Sequence, residues 1–139
     1  VIGKQELHNT INKIINKMEN NKYRSLQGML SDSFPNARFN AAVGLARHGD
    51  LTCKNILLEM LDPESISVVA GEQYESSHAF KRSVVATTAI DAVSALTQYH
   101  EPAELAELIS AVKAVSESDL FGGKAKVLAK ELLVNIQKS

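Results

Sequence analysis

Apolar residues recur at every third or fourth position along almost the whole chain, which is the period of amphipathic α-helices. The first apolar stripe consists of Leu7, Ile11, Ile14, Ile15 and Met18. Asn, Gly and Pro residues interrupt the pattern where helices would begin or end. The interruptions are Asn20-Asn21, Ser33-Phe34-Pro35-Asn36, Gly49-Asp50, Asp62-Pro63, Glu101-Pro102 and Gly122-Gly123. We therefore predict an all-α protein of about seven helices, in which the first helix ends at Asn20-Asn21 and a short second one spans about 22–32.

Residues 64–77 lack this periodicity. Ser, Gly, Glu and Gln dominate the segment, and its one apolar cluster is Ile66, Val68, Val69 and Ala70. A strand at 66–69 would have no partner strand elsewhere in the chain. We predict a loop, an insertion or a frayed helical extension here, within a single domain that spans residues 1–139.

The chain contains an internal repeat. When residues 41–61 are displaced by 51 positions they align with residues 92–112 without a gap, so that Leu45 falls on Leu96 and Asp50 on Glu101. A helix-pair repeat usually runs about 30 to 47 residues, and the excess matches the length of the 64–77 segment. Two antiparallel helices cannot bury both apolar faces alone, so neighbouring pairs must stack. We predict about three helix pairs stacked as an α-solenoid.

The segment from Asn36 to Asp50, with the sequence NARFNAAVGLARHGD, resembles the first helix and corner of a HEAT repeat of the phycobilin-lyase type. In that family an Asn/Asp-x-Arg sequence opens the helix, paired alanines allow close packing, and Gly-Asp forms the corner. The region that continues through Asp62-Pro63 is also similar to bacterial, particularly planctomycete-type, HEAT domains. The close match covers one repeat, about a fifth of the chain.

This resemblance implies a right-handed superhelix whose surface binds a protein partner, and it does not imply chromophore-lyase activity. It also assigns structural repeat positions, which are Arg38, Ala42, Leu45, Gly49 and Asp50. In such repeats the arginine commonly braces a neighbouring corner, which implies a pairing of Arg38 with Asp50 or with the equivalent residue of the neighbouring repeat; contact with a partner is the alternative role.

The composition suits a folded domain that lacks a strong electrostatic field. Hydrophobic residues make up 45% of the chain and aromatic residues 5%, so the core must be aliphatic. A net charge of −1 disfavours nucleic-acid binding, which needs a concentration of positive charge. No apolar run approaches the ~18 residues of a membrane span. The chain starts without Met and shows no signal peptide, so we interpret it as a piece of a longer protein and leave its compartment open, with the cytoplasm as one candidate.

Side chains that could carry chemistry are sparse, and we predict no catalytic, cofactor or metal site. The single cysteine, Cys53, lies among apolar helix residues and is expected to be a buried thiol. The four histidines do not pair at metal-binding spacing. The sequence Phe121-Gly122-Gly123-Lys124 lacks the further Gly and Ser/Thr of a phosphate-binding loop, which favours a helix-capping turn.

We therefore expect a non-catalytic protein-interaction scaffold with a protein partner. Candidate contacts lie on the second helices of the pairs, at Lys54, Glu59, Glu104 and Glu107, with further candidates at Tyr74, Lys81 and Arg82. Two alternatives stay open. One is an accessory subunit of an enzyme such as a tetrapyrrole or chromophore lyase, and the other is a HEAT-like nucleic-acid-binding module. A purely structural fragment of a longer solenoid also fits the sequence.

Overall fold

The computed structural model describes residues 3–138, and all regular secondary structure in that range is helical. Six α-helices follow one another: α1 (Lys4–Met29), α2 (Pro35–Arg47), α3 (Lys54–Leu61), α4 (Glu75–Leu96), α5 (Ala106–Glu117) and α6 (Gly123–Lys138). Short 3₁₀ turns at Leu51–Cys53, Ser67–Val69 and Pro102–Leu105 lie in the connections before α3, α4 and α5. The prediction of an all-α protein is confirmed for these residues.

The prediction of about seven helices is wrong, because Asn20 and Asn21 do not end the first helix. The helix α1 runs through them for 26 residues without a break. Asn costs a helix only a fraction of a kcal/mol relative to Ala, and the pair has no Pro or Gly beside it to stop the helix. The apolar pattern changes face at this point, since Tyr23, Leu26 and Leu30 pack against the core. That change of face looks like a helix boundary in the sequence.

The N-terminal half of α1 has no packing partner in the described structure. Every residue from 4 to 22 is exposed, and α1 has no buried residue. Five aliphatic side chains on one side of this half are each 45% to 65% exposed: Leu7, Ile11, Ile14, Ile15 and Met18. We call these five residues the α1 stripe.

The other helices pack in two rows. In the first row α2 contacts α4, and α4 contacts α6. In the second row α3 contacts α5, and helices of one row also contact those of the other. The helix α1 packs on α2 through its C-terminal half. Consecutive helices from α2 to α6 therefore alternate between the rows.

The core between the rows is aliphatic and closely packed, as the composition predicts. Small residues at the helix crossings, among them Ala42 and Ala89, are fully buried, and so are the larger Leu45, Leu57 and Leu96. Alanines at crossings let the helix axes approach, and the leucines fill the space between them. The equivalence of Leu45 and Leu96 in the sequence repeat thus corresponds to two buried positions in the first row.

The connection between α3 and α4 contains one 3₁₀ turn and no α-helix. Its anchor is Val68, which is 1% exposed and belongs to the core. The hydroxyl of Ser67 donates a hydrogen bond of 2.7 Å to the Glu59 carboxylate, and Gly71 adopts a φ of +87° that permits the turn before α4. These contacts hold the middle of the connection against the end of α3.

Candidate partner-binding surfaces

The two sequence-equivalent corners stack directly on each other. The α2 helix ends in a Schellman motif, in which the amides of Gly49 and Asp50 donate to the carbonyls of Ala46 and Leu45. This motif needs the left-handed conformation of Gly49, whose φ is +77°. A β-carbon at Gly49 would lie 2.5 Å from Cγ of Tyr99, so the ring of the second corner rests on the first corner where glycine leaves room.

His100 completes the contact between the corners. One ring nitrogen, Nε2, lies 2.6 Å from the carbonyl oxygen of Gly49, and Nδ1 lies 2.8 Å from the Glu104 carboxylate. Both neighbours accept hydrogen bonds, so the two bonds form together only when both ring nitrogens carry a proton. The Gly49 carbonyl and then the Glu104 carboxylate accordingly raise the pKa of His100 above its ordinary value. The hydroxyl of Tyr99 also donates to the Arg47 carbonyl at 3.1 Å.

On its other side the first corner is held by α1. Asp50 accepts hydrogen bonds from the backbone amide of Thr52 at 2.8 Å, from the Tyr23 hydroxyl and from the Gln27 side chain at 3.2 Å. Burial raises the pKa of the Asp50 carboxyl, but these donors outweigh burial and keep that pKa below its ordinary value. The carboxylate in turn raises the pKa of Tyr23 to about 12. Asp50 is therefore both the cap of the turn before α3 and an anchor for α1.

Arg38 pairs with Glu59 of α3 and does not pair with Asp50. Its guanidinium lies 2.5 Å from one carboxylate oxygen of Glu59 and 3.3 Å from the other. It also donates to the carbonyl oxygens of Asp32 and Ser33, in the connection between α1 and α2. Hydrogen bonding to Glu59 raises the pKa of Arg38. Burial tends to raise the pKa of Glu59, but the hydrogen bonds from Arg38 and the Ser67 hydroxyl outweigh burial and lower that pKa overall.

Charged residues on the second row are largely engaged within the chain. Lys54 forms an ion pair of 3.0 Å with Glu107, which joins the start of α3 to α5 on the exposed surface. Glu104 holds His100, and Glu59 holds Arg38. Of the four predicted contact residues in this row, Lys54, Glu104 and Glu107 remain accessible on their outer sides, whereas Glu59 is half-buried and ties α3 to α2.

The three other predicted contact residues lie at the beginning of α4. Tyr74 precedes the helix and is 69% exposed. Lys81 is half-buried beside Phe34, at the N-terminus of α2. The guanidinium of Arg82 lies 3.5 Å from the carbonyl oxygen of Leu120 in the connection between α5 and α6. Lys81 and Arg82 therefore contact different parts of the chain, and neither contact involves the Lys54–Glu107 ion pair.

A groove that the sequence pattern did not reveal runs between α4 and the α5–α6 connection. It has a volume of about 530 Å³. Three large apolar side chains line it and are strongly exposed: Phe80 at 74%, Leu120 at 51% and Val84 at 46%. The buried Phe121 and the charged Asp119 and Lys124 also line it, and Asp119 lies 3.4 Å from the ammonium group of Lys126. We call this the α4 groove.

The polar groups on the walls of the α4 groove bond to the backbone. The hydroxyls of Thr87 and Thr88 donate to the carbonyls of Ser83 and Val84 one turn earlier in α4. Ser83 itself donates to the Ala79 carbonyl and accepts from the amide of Gly122 at 2.5 Å, which fixes the connection against the helix. With these hydroxyls bonded to the backbone, Phe80, Val84 and Leu120 are the strongly exposed side chains of the lining. The groove is thus a largely apolar surface.

Cys53 is a core residue that lies beside the first corner. Cys53 is fully buried, its thiol lies 3.1 Å from the carbonyl oxygen of Asp50, and burial raises its pKa to about 12. Within residues 3–138 there is no group of three or more His, Cys, Asp or Glu side chains that could hold a metal ion. In the same range no helix combines the length and the apolar character needed to cross a membrane.

Comparison with known proteins gives no relative: no family model matches the chain, and no curated protein or solved structure does so either. The described residues form an all-α protein of six α-helices, and the resemblance to HEAT repeats rests on the sequence from Asn36 through Asp62-Pro63.

One signal in the sequence points to the α4 groove, which the helical pattern alone did not predict. Phe80 and Val84 lie four residues apart on a helix whose other face carries Val85, Ala89 and Val93, so α4 is apolar on two sides. A helix with two apolar faces contacts neighbours on both. Leu120 lies in a turn, where helical periodicity carries no information about burial, and only the fold places it beside Phe80.

Proposed function

We propose that this protein is a non-catalytic interaction scaffold of the HEAT-like, α-solenoid type, and that its principal contact surface is the α4 groove. The observation that carries the proposal is the exposure of Phe80, Val84 and Leu120 together in one largely apolar groove. Apolar patches of this kind on a folded protein mark sites that another molecule covers. A partner that binds there would shield side chains that now contact water.

The alternation of helices between two rows supports the solenoid part of the proposal. In a solenoid each helix pair covers the apolar face of the previous one, and a terminal pair without a cap leaves such a face open. The last helix of the first row, α6, exposes Val127 and Val134 to about half of their surface. Further helix pairs or a capping partner would cover this end.

The dimensions of the α4 groove favour a helical partner. Residues 80–88 span about 12 Å along α4, which is two helical turns. An amphipathic helix binds such a groove through apolar residues spaced by three or four positions, each of which fills a gap between wall side chains. The lining supplies one acidic and one basic group, Asp119 and Lys124, and these would orient the charged face of the helix.

A pull-down from lysate with four baits tests this proposal. The baits are the native chain, Phe80→Ser, Phe34→Ser, and a variant with Lys54→Glu and Glu107→Lys, which reverses the surface pair and keeps it complementary. Phe34 is 71% exposed and lies outside the groove, so it matches the loss of a phenyl ring at Phe80. Glu59 is left unchanged because its loss would disturb the contact with Arg38.

The groove proposal predicts a protein that the native, Phe34→Ser and charge-reversed baits retain and that Phe80→Ser loses. A photo-crosslinking amino acid at position 80 should then attach to a helical segment of that protein. Loss on the charge-reversed bait alone would place the contact on the second row, as the sequence predicted. Equal capture by all four baits would refute a specific contact at either surface.

A further inference from the structure

The α1 stripe is an unpartnered apolar surface that is separate from the α4 groove. Its five aliphatic residues all lie between Leu7 and Met18, and about half of each side chain contacts water. At 100° per residue, the stripe lies roughly 120° around α1 from Tyr23, Leu26 and Leu30, which dock on the core. A molecule bound to the stripe would therefore not displace α1 from α2.

The spacing within the stripe is that of a short coiled-coil seam. Leu7, Ile11, Ile14 and Met18 are separated by four, three and four residues, which is the alternation of a and d positions in a heptad repeat. Ile15 widens the seam on one side. Two such helices can interlock their side chains along about 17 Å.

We propose that the occupant of the α1 stripe is the α1 stripe of a second copy of this chain, and that the two helices pair antiparallel. In that orientation Leu7 of one helix faces Met18 of the other, and Ile11 faces Ile14. All eight seam residues of the two helices are covered by this one register.

The seam continues past Leu7 to Lys4, three residues earlier. A parallel pair would place Lys4 against its own copy, and like charges in contact are unfavourable. An antiparallel pair in the register above places Lys4 of one chain opposite the uncharged Asn21 of the other, between Glu19 and Lys22, so that attraction to Glu19 offsets repulsion from Lys22.

The area of the stripe is consistent with a reversible dimer. The exposed fractions correspond to roughly 90 Å² of apolar surface per side chain, or about 900 Å² for two copies. The polar flanks bring the interface near the ~1,200 Å² at which specific interfaces begin. We therefore expect a dimer that dissociates in the micromolar concentration range, since interfaces of this size must offset the loss of rigid-body freedom.

Sedimentation velocity over a hundredfold range of concentration tests the proposal, with Ile14→Lys as the disrupting variant and Asn9→Lys as its control. Both substitutions add one positive charge to an exposed position of α1, but Asn9 lies on the side opposite the stripe. We expect the native chain and Asn9→Lys to shift from one to two chains with concentration, and Ile14→Lys to remain monomeric. Unchanged thermal unfolding would show that Ile14→Lys is folded.

Cross-linking tests the orientation. Leu7→Cys and Met18→Cys chains, mixed and treated with a short bismaleimide, should link to each other more than either links to itself; the native chain, whose Cys53 is buried, is the control. Equal self-linking would refute the antiparallel arrangement. A native chain that stays monomeric at all concentrations, or a dimer that survives Ile14→Lys, would overturn the proposal. So would a monomer whose flotation with anionic phospholipid vesicles depends on Ile14, because lipid would then be the occupant.

This inference is independent of the proposed α4 groove contact. Phe80→Ser should leave dimerisation unchanged, and Ile14→Lys should leave capture at the groove unchanged. Failure of one proposal would therefore not imply failure of the other.

Discussion

Substitution of Gly49 by Ala would test the stacking of the two corners. The substitution has two separate costs. The first is conformational, because an L-residue at a φ of +77° is disfavoured by about 1 kcal/mol. The second is steric, since the new methyl group would meet Cγ, Cδ1 and Cβ of Tyr99 at 2.5, 2.7 and 2.9 Å.

The Tyr99 ring is the group that must move, because the Schellman hydrogen bonds hold the backbone of Gly49. The ring is 58% exposed and can swing outward, but it then loses its hydrogen bond to the Arg47 carbonyl and its packing on the corner. Overpacking of this kind costs about 1 to 3 kcal/mol. Gly49→Ala should therefore lower the free energy of unfolding by about 2 to 4 kcal/mol in total.

Gly71→Ala provides the matched control. Gly71 has a similar φ of +87°, but a β-carbon there meets nothing within 4 Å. It should therefore show the conformational cost alone, about 1 kcal/mol. In a Tyr99→Ala background the cost of Gly49→Ala should fall to the same value, since the clash is gone.

Urea unfolding followed by circular dichroism at 222 nm measures these differences. The reasoning is refuted if Gly49→Ala and Gly71→Ala cost the same, or if the larger cost of Gly49→Ala persists when Tyr99 is absent. Either result would mean that the second corner does not rest on the first in solution.

Three further predictions follow from the charged contacts and the thiol. Because folding raises the pKa of His100, this residue stabilises the fold fully below pH ~6.5, and the stabilisation is lost as the pH rises through the folded-state pKa. In unfolding experiments between pH 5.5 and 8.5, His100→Gln should flatten the pH dependence of the free energy of unfolding. Glu59→Gln should lower the free energy of unfolding by about 1 to 2 kcal/mol in the same assay, because the half-buried Arg38 loses its anionic partner. Lys54→Ala should lower it by less than about 1 kcal/mol, as for other exposed ion pairs. Equal losses in the two variants would contradict the bracing role of Glu59. Cys53 should resist a thiol reagent such as DTNB in the native protein and react after denaturation, and rapid native labelling would contradict its burial.

The sequence by itself determined the helices that begin or end at strong local signals. Pro35 occupies the first turn of α2, Gly49 ends that helix, and Asp50 caps the next turn, as their conformational preferences require. The apolar period also predicted the burial of Leu45 and Leu96, because a stripe at helical spacing must face other apolar groups. By contrast, the Asn20-Asn21 boundary was wrong because a weak local preference gives way to a continuous hydrogen-bonded helix.

The tertiary structure alone decided which side chains meet. The sequence pattern cannot distinguish an apolar stripe that is buried from one that lacks a neighbour. The α1 stripe and the apolar stripe of α3, which contains Leu57 and Met60, have the same spacing in the sequence, but only the stripe of α3 is buried. The partner of Arg38 depends on how α2 crosses α3, which is set by the packing of these two helices against each other and the core. The α4 groove likewise exists only because the fold brings Leu120 beside Phe80. Local preferences act within a few residues, whereas these contacts join residues about 20 to 40 positions apart through the packing of whole helices.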